Sequence, residues 1–187
     1  MFSYSFLKTL WRSRLPALPF FIFASFALAG CTGVPDSVEP VSPFTLKRYL
    51  GEWHEVARMD HRFERGLTRV TAEYSMRDDG GVRVINRGYN AEKGEWNEAE
   101  GRAYFVGEPN IGRLKVSFFG PFYGAYNIAK LEPDYSMALV IGPNFDYLWI
   151  LAREPNPAPE KCQTYADYAA SLGADVSALI WLSDCLP

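Results

Sequence analysis

Apolar and polar residues alternate along most of this chain with a period of two, the pattern of strands that bury one face. Val70, Ala72, Tyr74 and Met76 alternate with Thr71, Glu73, Ser75 and Arg77. Val82, Val84 and Asn86 alternate with Arg83, Ile85 and Arg87, and Leu114, Val116 and Phe118 with Lys115, Ser117 and Phe119. Turn-forming clusters separate the runs: RDDGG at 77–81, NAEKGE at 90–95, GEPNIG at 107–112, GPFYG at 120–124, EPDY at 132–135 and GPNFD at 142–146. Eight such runs lie between Trp53 and Arg153. Their connections are too short for crossover helices, so the pattern predicts an antiparallel meander. Eight strands abolish their unpaired edges most simply by closing into an up-and-down barrel; a two-sheet sandwich is the alternative.

Period two fails at both ends of this stretch. Ser42 as N-cap, Pro43 at the first helical position and Gly51 as a stop predict a short helical turn running into GEW at 51–53. Beyond Arg153, the residues Cys162, Tyr165, Ala166, Ala169 and Leu172 recur at helical spacing until Gly173. They predict one amphipathic helix laid on the barrel wall. SALIWLS, at 177–183, reads as a short ninth strand. Residues 42–187 are therefore one all-β domain with a C-terminal helix.

The first thirty residues stand apart. Lys8, Arg12 and Arg14 precede an apolar run over 15–28 that Pro16 and Pro19 interrupt, the length of a signal peptide and short for a membrane span. LAGC at 28–31 resembles the lipobox of bacterial lipoproteins, which implies cleavage before Cys31 and acylation of that cysteine. The membrane is then reached through lipid. Thr32, where an aspartate would retain such a protein at the inner membrane, implies the outer membrane. Residues 31–41, with few large side chains, read as a lipidated tether.

Charge narrows the partners. The chain carries 19 basic and 22 acidic residues; without Lys8, Arg12 and Arg14 the balance is 16 against 22, a net charge of −6. That offers no basic footprint for nucleic acid. With Cys31 lipidated, Cys162 and Cys185 remain. An oxidising periplasm permits a disulfide between them, and a buried free thiol at Cys162 stays open as the alternative.

Eight antiparallel strands, a short helix feeding Gly-x-Trp and one helix after the eighth strand together resemble the lipocalins. DHRFERGL (60–67), YSMRDDGG (74–81) and KVSFFGPFYG (115–124) look like the bacterial outer-membrane branch, with apolipoprotein D a more distant relative. GEW matches the family's first signature, and NFDYLWILAREP at 144–155 the second and third, through Asp146, Tyr147 and Arg153. Phe145 departs from the family's threonine, which affects that turn's side-chain hydrogen bond. The resemblance implies that Trp53 plugs the closed end of the barrel, that Arg153 lies across its face, and that Gly51 lets the chain turn beneath the floor. Such a cation–aromatic stack contributes about 1 kcal/mol.

The resemblance also implies a lined cup, with Tyr74, Asn86, Tyr126 and Trp149 at positions where relatives of apolipoprotein D place pocket residues. Strand parity adds Val84, Val116, Phe118 and Tyr147. Apolar walls with a few hydroxyls and one amide suit an amphipathic lipid, such as a lysophospholipid or a fatty acid. HRFERG, NAEKGE and FFGPFYG are the expected mouth loops; homodimers occur among relatives and are a further expectation.

No catalytic, dinucleotide or metal-ligating motif is present. His54 and His61 read as surface residues and the acids as solvated charge, so neither an enzyme, a metal nor a cofactor is expected. Two rivals remain: a haem protein or enzyme on the same barrel, and a structural envelope lipoprotein whose barrel is filled and holds no cavity.

Overall fold

Closure of the sheet is decided at its first strand. In the computed structural model, which describes residues 32–185, β1 (Gly51–Arg58) pairs on one side with β2 (Leu67–Met76) and on the other with β8 (Leu148–Ala152). Between them β3 (Val82–Asn90), β4 (Glu95–Phe105), β5 (Arg113–Ser117), β6 (Gly124–Leu131) and β7 (Met137–Ile141) each bond to the next, all antiparallel. The eight-strand up-and-down barrel predicted from the alternation is therefore the observed fold. Cys31, with the signal peptide and lipidation expected there, lies outside the described residues.

Two apolar layers share the barrel wall. Inward side chains, among them Trp53, Tyr74, Val84, Leu114, Val140 and Leu151, form one. The other lies outside, where helix α2 (Pro159–Ser171) buries Cys162, Tyr165, Ala166 and Ala169. Of these, Cys162, Tyr165 and Ala169 pack on Met137, Leu139, Ile141 and Ile150. That double cover explains why β7, MALVI, is apolar without alternation: both its faces are out of water. The Tyr165 hydroxyl donates to the Met137 carbonyl at 2.8 Å, so even the helix's polar handle is used on the wall. Cys162 and Cys185 are bonded, which fastens the last residues to α2.

Three local expectations need correction. The first helix, α1, spans Leu46–Tyr49 and not the turn beginning at Ser42. Phe44 is drawn into the barrel floor, 3% exposed, and its N–H donates to the Asn110 carbonyl, which keeps residues 42–44 out of the helix. The ninth strand, β9, is Ile180–Trp181 alone, because a 3₁₀ turn at Val176–Ala178 consumes the first half of its sequence.

Residues 32–41 are the third. Far from hanging free as a tether, they are strapped to the barrel. Val41 exchanges hydrogen bonds with Ile128 and Gly112, Ser37 donates to the Leu172 carbonyl, and Asn127 donates to that of Gly33. Val38 is buried in the outer layer.

One irregularity positions the site. A β-bulge lies between Glu55 and Ala57, where β1 shifts its register against β8. Val56 and Ala57 consequently both face the outer layer, and Arg58 swings to the side of Glu55.

Candidate ligand-binding site

The two ends of the barrel differ in chemistry. At the closed end Trp53 is fully buried and donates its indole N–H to the Tyr49 carbonyl at 2.8 Å. The Arg153 guanidinium lies 4.0 Å above the indole and donates to the carbonyls of Arg48, Leu50 and Glu52 at 3.0, 2.9 and 2.6 Å. The plug and clamp implied by the family signature thus sit as expected. Gly51 belongs here for a backbone reason: its φ is +94°, and a Cβ would touch the guanidinium at 3.4 Å. Asp146 lies in the exposed β7–β8 turn at the other end, where its N–H donates to Asn144 Oδ1. The turn is closed by Asn144, which answers the missing threonine.

Above the floor, three tyrosines form a layer. The Tyr126 hydroxyl lies 2.7 Å from that of Tyr49 and 2.8 Å from that of Tyr74. Burial pushes the Tyr49 and Tyr126 hydroxyls well above the usual phenol range, so all stay protonated and share hydrogen bonds. Beneath them lies a narrow gap with apolar walls of Phe44, Val82, Leu114 and their neighbours.

Over the tyrosines the barrel opens into a cup. Tyr74, Val84, Asn86, Val116, Phe118, Tyr126 and Trp149 all line it. Phe118 reaches its place across Gly101, where a Cβ would come within 2.8 Å of the ring. Tyr147 is the exception among the predicted lining residues. It sits outside the cup, 6.0 Å from the His61 ring and 6.4 Å from that of Phe63, because it precedes β8.

The cup's rim holds charged residues whose polarity had assigned them to solvent. Glu55, 7% exposed, lines the cup and accepts from Arg58 Nη1 at 2.7 Å. Arg58, 1% exposed, also donates through Nη2 to the carbonyls of Glu64 and Leu67. Glu64 lines the cup, accepts from the Trp149 indole at 3.1 Å and lies 3.1 Å from His61 Nε2. His61 is buried among Phe63, Tyr147 and Trp149, which corrects its reading as a surface residue. His54 faces outward and is partly exposed, as expected.

Burial governs the titration of this cluster. It pushes the Glu55 carboxyl up to about 8, with the Glu64 charge adding to the rise, and the Arg58 ion pair does not offset it. His61 is lowered, again first by burial and against the pull of Glu64. Asn86 Oδ1 and Arg58 Nε are buried and have no hydrogen-bond partner. Glu55 was findable from sequence, since it shares the parity of Trp53; the bulge that brings in Arg58 left no such mark. Three of the mouth loops are those expected, and the β7–β8 turn joins them; Phe119 and Phe122 are 74% and 66% exposed at the tip of FFGPFYG.

Comparison with known proteins agrees with this architecture. A family described as a lipocalin-like domain matches residues 44–184. The outer membrane lipoprotein Blc of Vibrio cholerae is 54% identical over 164 residues, spanning 87% of this chain and 96% of that protein. Apolipoprotein D of Rattus norvegicus is 34% identical over 153 residues, 77% of this chain and 76% of its own. Among solved structures, insecticyanin of the tobacco hornworm Manduca sexta superposes with a TM-score of 0.64 at 21% identity, covering 80% of this chain and 85% of its own. At that identity the likeness concerns the fold.

Proposed function

We propose a binding role from a plain premise: the chain belongs to the lipocalin family. Its barrel takes up one single-chain amphipathic lipid, a lysophospholipid or a fatty acid, and stores or carries it at the outer membrane. Cys31 supplies the lipid anchor, so that the barrel sits in the periplasm beside the bilayer. The name of the Vibrio cholerae relative, an outer membrane lipoprotein, supports that location.

The observation that carries the reading is the cup itself. Apolar side chains from most of the strands line it around a few polar groups, the make-up of a small-molecule site. Binding is burial. Hydrocarbon that enters leaves water, at about 25 cal/mol per Å² of apolar surface removed. The Tyr49–Tyr126–Tyr74 layer forms the cup's lower boundary, and the Glu55–Glu64–Trp149 group meets the polar end. The strap of residues 32–41 is hydrogen-bonded to the barrel wall, Thr32 through Arg113 and Gly33 through Asn127. The barrel is accordingly held close to the surface from which its ligand comes.

Native mass spectrometry of the chain from Thr32 onward, mixed with lysophospholipids and fatty acids of several lengths, tests this. One lipid per chain is expected, with the affinity reduced about tenfold in Trp149→Ala. No adduct with any lipid, together with unchanged tryptophan fluorescence, would refute it.

A further inference from the structure

The ionisable acids that face the cup are matched by no basic residue there. Glu55 and Glu64 line it, and so does Asn86, whose Oδ1 is buried without a partner. No Lys, Arg or His is among the lining residues. The nearest cation, Arg58, stands behind Glu55, and its two Nη atoms are committed to Glu55 and to the carbonyls of Glu64 and Leu67. The Trp149 indole N–H, which faces the same space, is committed to Glu64. What the cup offers a guest is therefore two carboxyl groups and an unpartnered amide oxygen among neutral hydroxyls, without a free cation.

A carboxylate or phosphate drawn into such a space loses its water and meets no cation to replace it, with repulsion added wherever an acid is ionised. An ammonium or hydroxyl loses its water too, but regains partners there, and those bonds are strengthened where one side is charged. We infer that the cup selects single-chain lipids whose buried polar end donates hydrogen bonds and carries no negative charge, an amine or a glycerol hydroxyl, with Glu55, Glu64 and Asn86 as the residues that read it. The inference rests on the lipid-binding reading above and sharpens it. A fatty acid, whose anion terminates the chain itself, becomes the weaker guest. A lysophospholipid carries its free glycerol hydroxyl next to the acyl ester, and its phosphate farther out, towards the mouth.

The test uses three amphiphiles of one chain length: an alkylamine, a monoacylglycerol and the fatty acid. Each is titrated below its micelle concentration, at neutral pH, into the chain from Thr32 onward, which retains every described element. Tryptophan quenching gives affinity and native mass spectrometry gives stoichiometry. The amine and the monoacylglycerol should each bind about tenfold more tightly than the acid. Glu64→Gln, whose side chain still accepts a hydrogen bond, should erase most of the amine's lead and keep that of the monoacylglycerol. Glu55→Gln is the second variant, read in the same way at about pH 9, where Glu55 is ionised, should the first fail to fold. An acid that binds as tightly as the amine, or a lead unchanged in both variants, would overturn the inference and leave the cup intact. If none of the three binds, the lipid-binding reading fails as well.

Discussion

Arg153 and Arg58 are both held inside the ends of one barrel, and the contrast between them separates what stabilises this protein from what equips it to bind. At the closed end Arg153 lies on the Trp53 ring and its hydrogens go to backbone carbonyls of α1, the start of β1 and Tyr135. At the open end Arg58 keeps Nε without a partner and shares its space with Glu55, Glu64 and His61. Charge–carbonyl bonds at the floor give the Arg153 guanidinium partners from several backbone segments. The rim concentrates acids that burial disfavours in their charged form. Buried polar groups left incompletely matched are destabilising, and they are tolerated where they meet something else.

If that division holds, damage at the floor should appear in stability far more than in binding. Trp53→Ala is expected to cost about 4 kcal/mol, the usual loss for a buried indole, in urea unfolding. Lipid should still bind to whatever fraction remains folded. Cutting the outer layer loose is next in size. The Cys162–Cys185 bond closes 23 residues of sequence, and Cys162→Ser with Cys185→Ser should cost about 3 kcal/mol on the chain-entropy estimate. A loss well under that figure would mean that α2 is held by Tyr165 and its apolar stripe without help.

The rim should show itself through pH. Glu55 titrates near 8 in the fold against 4.5 when exposed, so the folded chain holds more protons between those values and its stability falls as pH rises. His61 works in the opposite direction. Its lowered value makes the fold lose stability as pH drops below about 6.5, where the unfolded chain takes up a proton. Between pH 6.5 and 8 the Glu55 effect should therefore stand nearly alone, on the order of 1 kcal/mol. Glu55→Gln should flatten the stability curve over that window, measured by urea midpoints at a series of pH values. A curve unchanged by the substitution would place the titration elsewhere.

The floor was far more legible in the sequence than the rim. Period two marked the strands because each buries one face, and Trp53 and Arg153 were fixed by a signature that spans the chain. The cup walls followed from parity, and seven of the eight residues expected there line it. Tyr147 did not, since it precedes the first residue of β8 and alternation does not extend into a turn. Glu55, His61 and Glu64 were read as solvated because polar residues usually are. Alternation also misplaces whatever follows a bulge, and the bulge before Ala57 carries no residue that announces it. The strap at 32–41 escaped for a related reason. Its hold comes from backbone hydrogen bonds to Ile128 and Gly112, which side-chain composition does not encode.

Filling the cup tests most directly that lipid enters the barrel and that the floor serves only to hold it. Val116 lines both the cup and the gap beneath the tyrosines and is not fully buried, so Val116→Trp should occupy the space while the barrel remains closed. The measurement is native mass spectrometry of this variant with the preferred lipid, alongside its unfolding midpoint. We expect a folded protein with a midpoint close to that of the parent and no lipid adduct. A folded variant that still carries one lipid per chain would contradict the account and place the binding site outside the barrel.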